Sequence, residues 1–133
     1  MILLDTHVLI WMDEGNMSLG NKAIELINHA LLAGELAVSA ISFWEVAMLL
    51  QKQRLAMQLE VDIWRKELLE NGLLEISLDG ATGIRAGGLQ KFHGDPADRL
   101  IVATALDNSA TLLTADEKIL TWDKRLRTID ARI

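Results

Sequence analysis

The sequence predicts a three-layer α/β/α sandwich with one central parallel sheet. Three observations lead there. Short apolar runs of strand length alternate with longer segments of helical period along the whole chain. The first such run, Ile2 to Leu4, is apolar throughout, as a central parallel strand buried on both faces must be. The length of 133 residues, with 50% apolar and 24% charged residues, suits a single domain over residues 1–133 with a core of its own.

Taken in order, the strand Ile2 to Leu4 ends in Asp5, and Val8 to Met12 follow as a short helix closed by Asp13-Glu14-Gly15-Asn16. Ser18 to Gly34 carry a second helix: Ala23, Ile24, Ile27, Ala30 and Leu31 keep helical spacing and Gly34 is the stop. Leu36 to Val38 are the second strand. Ser39 or Ser42 then caps a strongly apolar helix, Phe43 to Gln51, whose carboxyl end is followed by Lys52 and Arg54. Leu59 to Asn71 form an amphipathic helix ended by Gly72. Leu73 to Leu78 alternate as a third strand. Asp79 to Leu89 are a helix weakened by four glycines between positions 80 and 88. After a loop, Gln90 to Gly94, Asp95-Pro96 opens a helix that runs to Asn108. Thr111 to Thr114 are the fourth strand, Asp116 to Trp122 a short helix, and Leu126 to Ile129 a fifth strand. There is no internal repeat, low-complexity run or linker.

Several classes fall away. Without cysteine there is no disulfide framework, thiolate metal site or cysteine nucleophile, which fits a reducing cytoplasm. No stretch has the apolar length of a membrane span, and no basic segment opens a signal peptide. Nucleotide-binding glycine loops and the G-x-S-x-G elbow are missing. The net charge of −6 argues against broad, nonspecific nucleic-acid binding. It does not exclude a nucleic-acid substrate, because acids that hold a metal ion are neutralised in use. His7, His29 and His93 lack metal-ligand spacing. His29 reads as a surface residue, and His93 either supports its loop or touches substrate.

Each acid has a plain structural reading. Asp5, Asp95 and Asp116 suit helix caps, and Asp98 suits the third helical position, where acids favour the dipole. Glu45 lies in a helix so apolar that it either keeps one narrow wet face with Ser42 and Leu49 or is desolvated and needs a partner. Together they mean more. Asp5 and Asp116 end two strands of the same buried type, and Asp98 starts the helix leading into the second strand. In a parallel sheet these meet at one carboxyl edge, where ligands of open α/β sheets bind, and Glu45 heads a helix that can face it. Packed carboxylates repel and want a cation. Oxygen ligands favour Mg²⁺ or Mn²⁺ over zinc, and activated water beside clamped oxygens is the apparatus of phosphodiester hydrolysis.

Four stretches carry a family resemblance: Leu4-Asp5-Thr6-His7-Val8-Leu9-Ile10-Trp11, Ser42-Phe43-Trp44-Glu45-Val46-Ala47, the run from His93 through Asp95-Pro96-Ala97-Asp98-Arg99 to Ala105, and Leu112-Leu113-Thr114-Ala115-Asp116. In this order and spacing they resemble a PIN-domain ribonuclease, most of all the VapC-type toxins of bacterial toxin–antitoxin pairs. The resemblance implies a PIN-like fold and a Mg²⁺- or Mn²⁺-dependent endoribonuclease. It places the four catalytic and metal-binding acids on Asp5, Glu45, Asp98 and Asp116, with Asp95, Thr6 and Thr114 in support. Glu45 would hold metal or orient the attacking water. RNA would approach over Lys52, Arg54, Lys91 and Arg99. A homodimer and a VapB-like antitoxin partner are implied too. Gln90 stands where the subgroup is expected to carry a proline, a difference in loop stiffness rather than chemistry.

Two alternatives remain open. A phosphatase-type hydrolase with a nucleophilic strand-end aspartate wants a second acid two residues on, where this chain has His7. A non-catalytic RNA- or protein-binding module on the same scaffold should show no metal dependence. Trp11, Met12, Trp44, Met48 and Trp64 are either core or an interface.

Overall fold

The structure, a computed structural model, describes residues 1–133. Its elements are β1 (Ile2–Leu4), α1 (Thr6–Glu14), α2 (Asn21–Leu32), β2 (Leu36–Ser39), α3 (Ile41–Gln51), α4 (Val61–Glu70), β3 (Leu74–Ile76), α5 (Gly80–Gly87), α6 (Pro96–Asp107), β4 (Thr111–Thr114), α7 (Glu117–Leu120) and β5 (Thr128–Asp130). The five strands form one sheet in the order β3-β2-β1-β4-β5, parallel at every pairing. The central β1 sets Leu4 beside Val38 on one flank and beside Leu113 on the other. The chain winds outward through β2 and β3, then returns across β1 to build β4 and β5. The order thus reverses between β1 and β4, and the crevice at their carboxyl ends is the switch point.

The sheet is buried on both faces, and strand alternation divides two cores. Leu4, Leu36, Val38 and Leu113 face a layer that includes Leu9, Ile27, Val46 and Trp64, from α1 to α4. Leu3, Ala37 and Leu112 face the other way, onto Ile101, Val102 and Ala105 of α6 and Ile119 of α7. This is the expected three-layer sandwich.

The expected boundaries shift in ways that local chemistry explains. Helix α1 begins at Thr6, since Leu9 already donates to the Asp5 carbonyl at 3.0 Å, and it ends on Gly15, whose φ of 64° is left-handed. Helix α3 starts at Ile41, two residues ahead of the expected Phe43, with Ala40 in the cap position. Ser39 still serves its first turn, its hydroxyl accepting from the Ile41 N–H at 3.3 Å, whereas Ser42 lies inside the helix with its hydroxyl 2.9 Å from that of Thr6. Helix α2 opens at Asn21, later than Ser18. Gly20 precedes it, pressed against the carboxyl-terminal segment: its N–H donates to the Ala131 carbonyl at 2.9 Å. Strand β3 is three residues and not six, because it is an edge strand with one neighbour. Of the large apolar residues in question, Trp64 is core at 4% exposure whereas Trp44 is 52% exposed; Trp11, Met12 and Met48 are half-buried. No helix is long and apolar enough to cross a membrane.

Candidate metal centre

Asp5 is the hinge of the site. Buried strand β1 delivers it to the switch point, where its N–H donates to the Leu113 carbonyl at 3.0 Å. Its side chain is 6% exposed. Oδ1 accepts from the Thr6 N–H at 2.8 Å, and Oδ2 accepts from the Thr114 hydroxyl at 2.6 Å. A typical cap reaches the second or third helical N–H; Asp5 reaches only the first and leans over the sheet edge instead. Cap and site are therefore one residue's two roles. Burial pushes its carboxyl above the usual range, partly offset by the bonds from Thr114 and Thr6.

Two threonines tie the acids together. Thr114, fully buried at the end of β4, also accepts from the Asp116 N–H at 3.1 Å. Asp116 caps α7 through the Lys118 N–H at 2.9 Å. Thr6, the first residue of α1, meets Glu45 Oε1 and Ser42 Oγ across the interface with α3. A hydroxyl has a single hydrogen. Thr6 gives its own to the carboxylate, and Ser42 turns its hydroxyl toward Thr6. Glu45 is half-buried, and burial raises its carboxyl above the usual value.

Asp98 completes the group. Asp95 holds the start of α6 by accepting from the Asp98 N–H at 3.1 Å, with Pro96 in the first turn. The Asp98 carboxyl is pushed up to about 7, first by burial and then by Asp5, Asp95, Asp116 and Glu45. Four other acids thus act on one, which places all five within electrostatic reach.

The donors suit a divalent cation. One ligand atom each from His93, Asp98 and Asp116 lie within 4.8 Å of one another. Octahedral coordination at about 2.1 Å sets ligand atoms roughly 3.0 to 4.2 Å apart, so the trio would close by an ångström or so around an ion. Asp5 and Glu45 stand outside that trio, but each Asp5 oxygen accepts one hydrogen bond and keeps a second lone pair. Carboxylates with one imidazole suit Mg²⁺ or Mn²⁺, the imidazole leaning toward Mn²⁺.

Sequence reasoning left His93 between loop support and substrate contact and set Ser42 on a narrow face with Glu45; the structure brings both to the acids. His93 Nε2 is 3.4 Å from Asp98 Oδ2, out of line for a hydrogen bond, so this buried nitrogen has no formal partner. Its ring stacks on Phe92 at 4.3 Å, and Phe92 meets Trp122 edge-on at 5.2 Å. Trp122 in turn donates to the Gln90 carbonyl at 2.8 Å, holding the loop where a proline was expected. For Ser42 a signal existed: it lies three residues before Glu45 on one helix face.

The candidate RNA contacts divide. Lys52 and Arg54 line a cavity with Glu45 and Asp95. Lys91 is exposed on the loop at a φ of 56°. Arg99 is turned away from the acids. It donates to the Leu89 carbonyl at 3.2 and 3.4 Å and lies 5.9 Å from the Phe92 ring centre. A cavity of about 480 Å³ lies elsewhere, lined by Ile10, Leu55, Met57 and Trp64 with Asp13, Glu14 and Glu67.

Fold and site together define a class: doubly wound α/β domains that gather carboxylates at the switch point of a parallel sheet. Within that class the chain belongs to the PIN domain family, whose sequence pattern matches residues 2–125. It is 36% identical over 119 residues to Ribonuclease VapC22 of Mycobacterium tuberculosis, a match that covers 89% of this chain and 88% of that protein. In fold it resembles VapBC2 from Rickettsia felis bound to a promoter DNA fragment (TM-score 0.67, 19% identity, 97% of this chain and 98% of that one). It also resembles a toxin–antitoxin complex from Klebsiella pneumoniae (TM-score 0.65, 21% identity, 98% of each chain).

Proposed function

We propose that this chain is a metal-dependent endoribonuclease acting as the toxin of a toxin–antitoxin pair. The observation that carries the reading is the convergence of Asp5, Asp98 and Asp116 at the switch point, with Glu45 linked to Asp5 through Thr6. The relationship to a named ribonuclease supports RNA as substrate.

Asp5, Asp98 and Asp116 would hold Mg²⁺ or Mn²⁺, with His93 in reach. When bound, the ion would supply Lewis-acid stabilisation of charge on the scissile phosphate and lower the pKa of a water. Thr114 and the Thr6 N–H orient Asp5. Thr6 orients Glu45, which accepts a proton as water attacks the phosphodiester; its burial-raised basicity suits that task. The expected products carry a 5′-phosphate and a 3′-hydroxyl.

An antitoxin partner follows from the kinship with toxin–antitoxin proteins. The 480 Å³ cavity, lined by apolar and acidic residues, suits an amphipathic cationic segment of such a partner. A homodimer is part of the same reading. The working compartment is the cytoplasm, where RNA and antitoxin meet.

Cleavage of total RNA, with ends mapped, tests the reading. Wild type should cut in Mg²⁺ or Mn²⁺ and stop in EDTA, and Asp5→Asn should be inactive. Full-rate cleavage by that variant overturns the assignment.

A further inference from the structure

Beside the acids, α3 carries a stripe that the mechanism leaves unused. Trp44, Met48 and Lys52 recur at four-residue steps, so they lie along one face of the helix and its cap. The stripe lines a cavity of about 330 Å³ whose other wall is the start of α6 at Asp95 and Pro96. Glu45 lines the same cavity, which joins it to the acid centre, and Arg54 lines it beside Lys52. Trp44 is 52% exposed, whereas the other tryptophans are buried or half-buried. Neither Lys52 nor Arg54 is engaged in an ion pair.

We propose that this cavity is a substrate subsite: an unpaired base of single-stranded RNA stacks on the Trp44 indole, and adjoining phosphates rest on Lys52 and Arg54. This deepens the nuclease reading and rests on it. The α3 side of the cavity and its two ends answer parts of such a strand. The flat indole and the polarizable Met48 meet the base, the free cations meet the phosphates, and the acid end opens on the phosphate to be cut. The volume is at the small end of ligand sites, right for a base and its ribose and not for a helix. From Trp44 to Lys52 the helix rises about 12 Å, the reach of a few stacked nucleotides at roughly 3.4 Å each. A chain of net charge −6 gains little from long-range attraction. Stacking supplies affinity that does not depend on it.

The test measures binding without turnover. Full-length wild type, Trp44→Ala and Trp44→Phe are titrated in EDTA with a short single-stranded RNA, and with the same RNA carrying abasic sites. Thermal melting checks each fold, and sedimentation checks association state. Trp44→Ala should bind the intact RNA roughly 5- to 100-fold more weakly. Trp44→Phe should recover much of that loss, and the abasic RNA should not distinguish wild type from Trp44→Ala. Quenching of tryptophan emission by RNA should shrink in both variants. If wild type binds and cleaves RNA and Trp44→Ala does so equally well, the subsite is refuted and the nuclease reading stands. If wild type neither binds nor cleaves RNA, both fall. If Trp44→Ala instead converts a dimer to monomers with RNA affinity intact, this face is an interface between copies and the proposal is wrong.

Discussion

Asp98→Asn is the sharpest probe of the acid cluster. The folded carboxyl sits at about 7, against an ordinary value of 3.8. Between those values the folded protein holds a proton that the unfolded chain has lost, so stability falls as pH rises through the window. A gap of about three pH units sets a ceiling of about 4 kcal/mol at roughly 1.4 kcal/mol per unit. The loss is absent below about pH 4 and complete above about pH 7. Asn keeps the shape and drops the charge. In EDTA the variant should match wild type near pH 4 and exceed it by about 1–4 kcal/mol at pH 8, several degrees of melting temperature for a domain of this size. A divalent cation narrows that gap and reverses it where the gap is below about 2.7 kcal/mol. Binding at a hundred times the dissociation constant adds about 2.7 kcal/mol to the native state, and the variant lacks one donor. The assay is thermal unfolding from pH 4 to 8, in EDTA and in Mn²⁺. A variant no more stable than wild type at pH 8 in EDTA, or equally stabilised by Mn²⁺, refutes the reasoning.

Three further outcomes follow from the same geometry. Thr114→Val keeps the shape but removes the donor to Asp5 Oδ2 and the acceptor for the Asp116 N–H; it should cost about 1–3 kcal/mol in urea unfolding and weaken Mn²⁺ binding measured by calorimetry. Glu45→Gln should cut RNA cleavage by roughly 10²-fold or more while leaving the melting temperature unchanged or higher, since burial disfavours the charge it removes; a large fall in melting temperature would contradict that. Gly20→Ala would put a methyl 2.1 Å from the Ile133 backbone and 2.6 Å from that of Arg132. The carboxyl-terminal segment must then shift, and limited proteolysis should release it faster than from wild type, at a cost of a few kcal/mol.

What could be read from the chain was local. The apolar run Ile2 to Leu4 announces a strand buried on both faces, and its next residue is the acid that such a strand must deliver to its end. The same holds for Leu112 to Asp116 and for the Asp95-Pro96 helix start, because strand burial, caps and acids are written within a few residues of each other. Alternation of strands and helices was enough for the layers of the sandwich. It misplaced the starts of α1, α2 and α3 and the length of β3; at α2 and β3 a packed neighbour outweighs the local signal, the carboxyl-terminal segment before α2 and the single sheet partner of β3.

Sequence alone thus determined the fold class, the strand that carries Asp5 and the set of acids worth testing. Tertiary structure decided what those acids do to one another. The strand order that puts β4 against β1 brings Thr114 to Asp5 across 109 residues. The packing of α3 on α1 joins Glu45 to Thr6, and the loop ahead of α6 turns His93 toward Asp98. Hydrogen bonds and charge repulsion depend on distance in space, so no spacing along the chain contains them. The rise of Asp98 to about 7 exists only once burial and four other acids surround it.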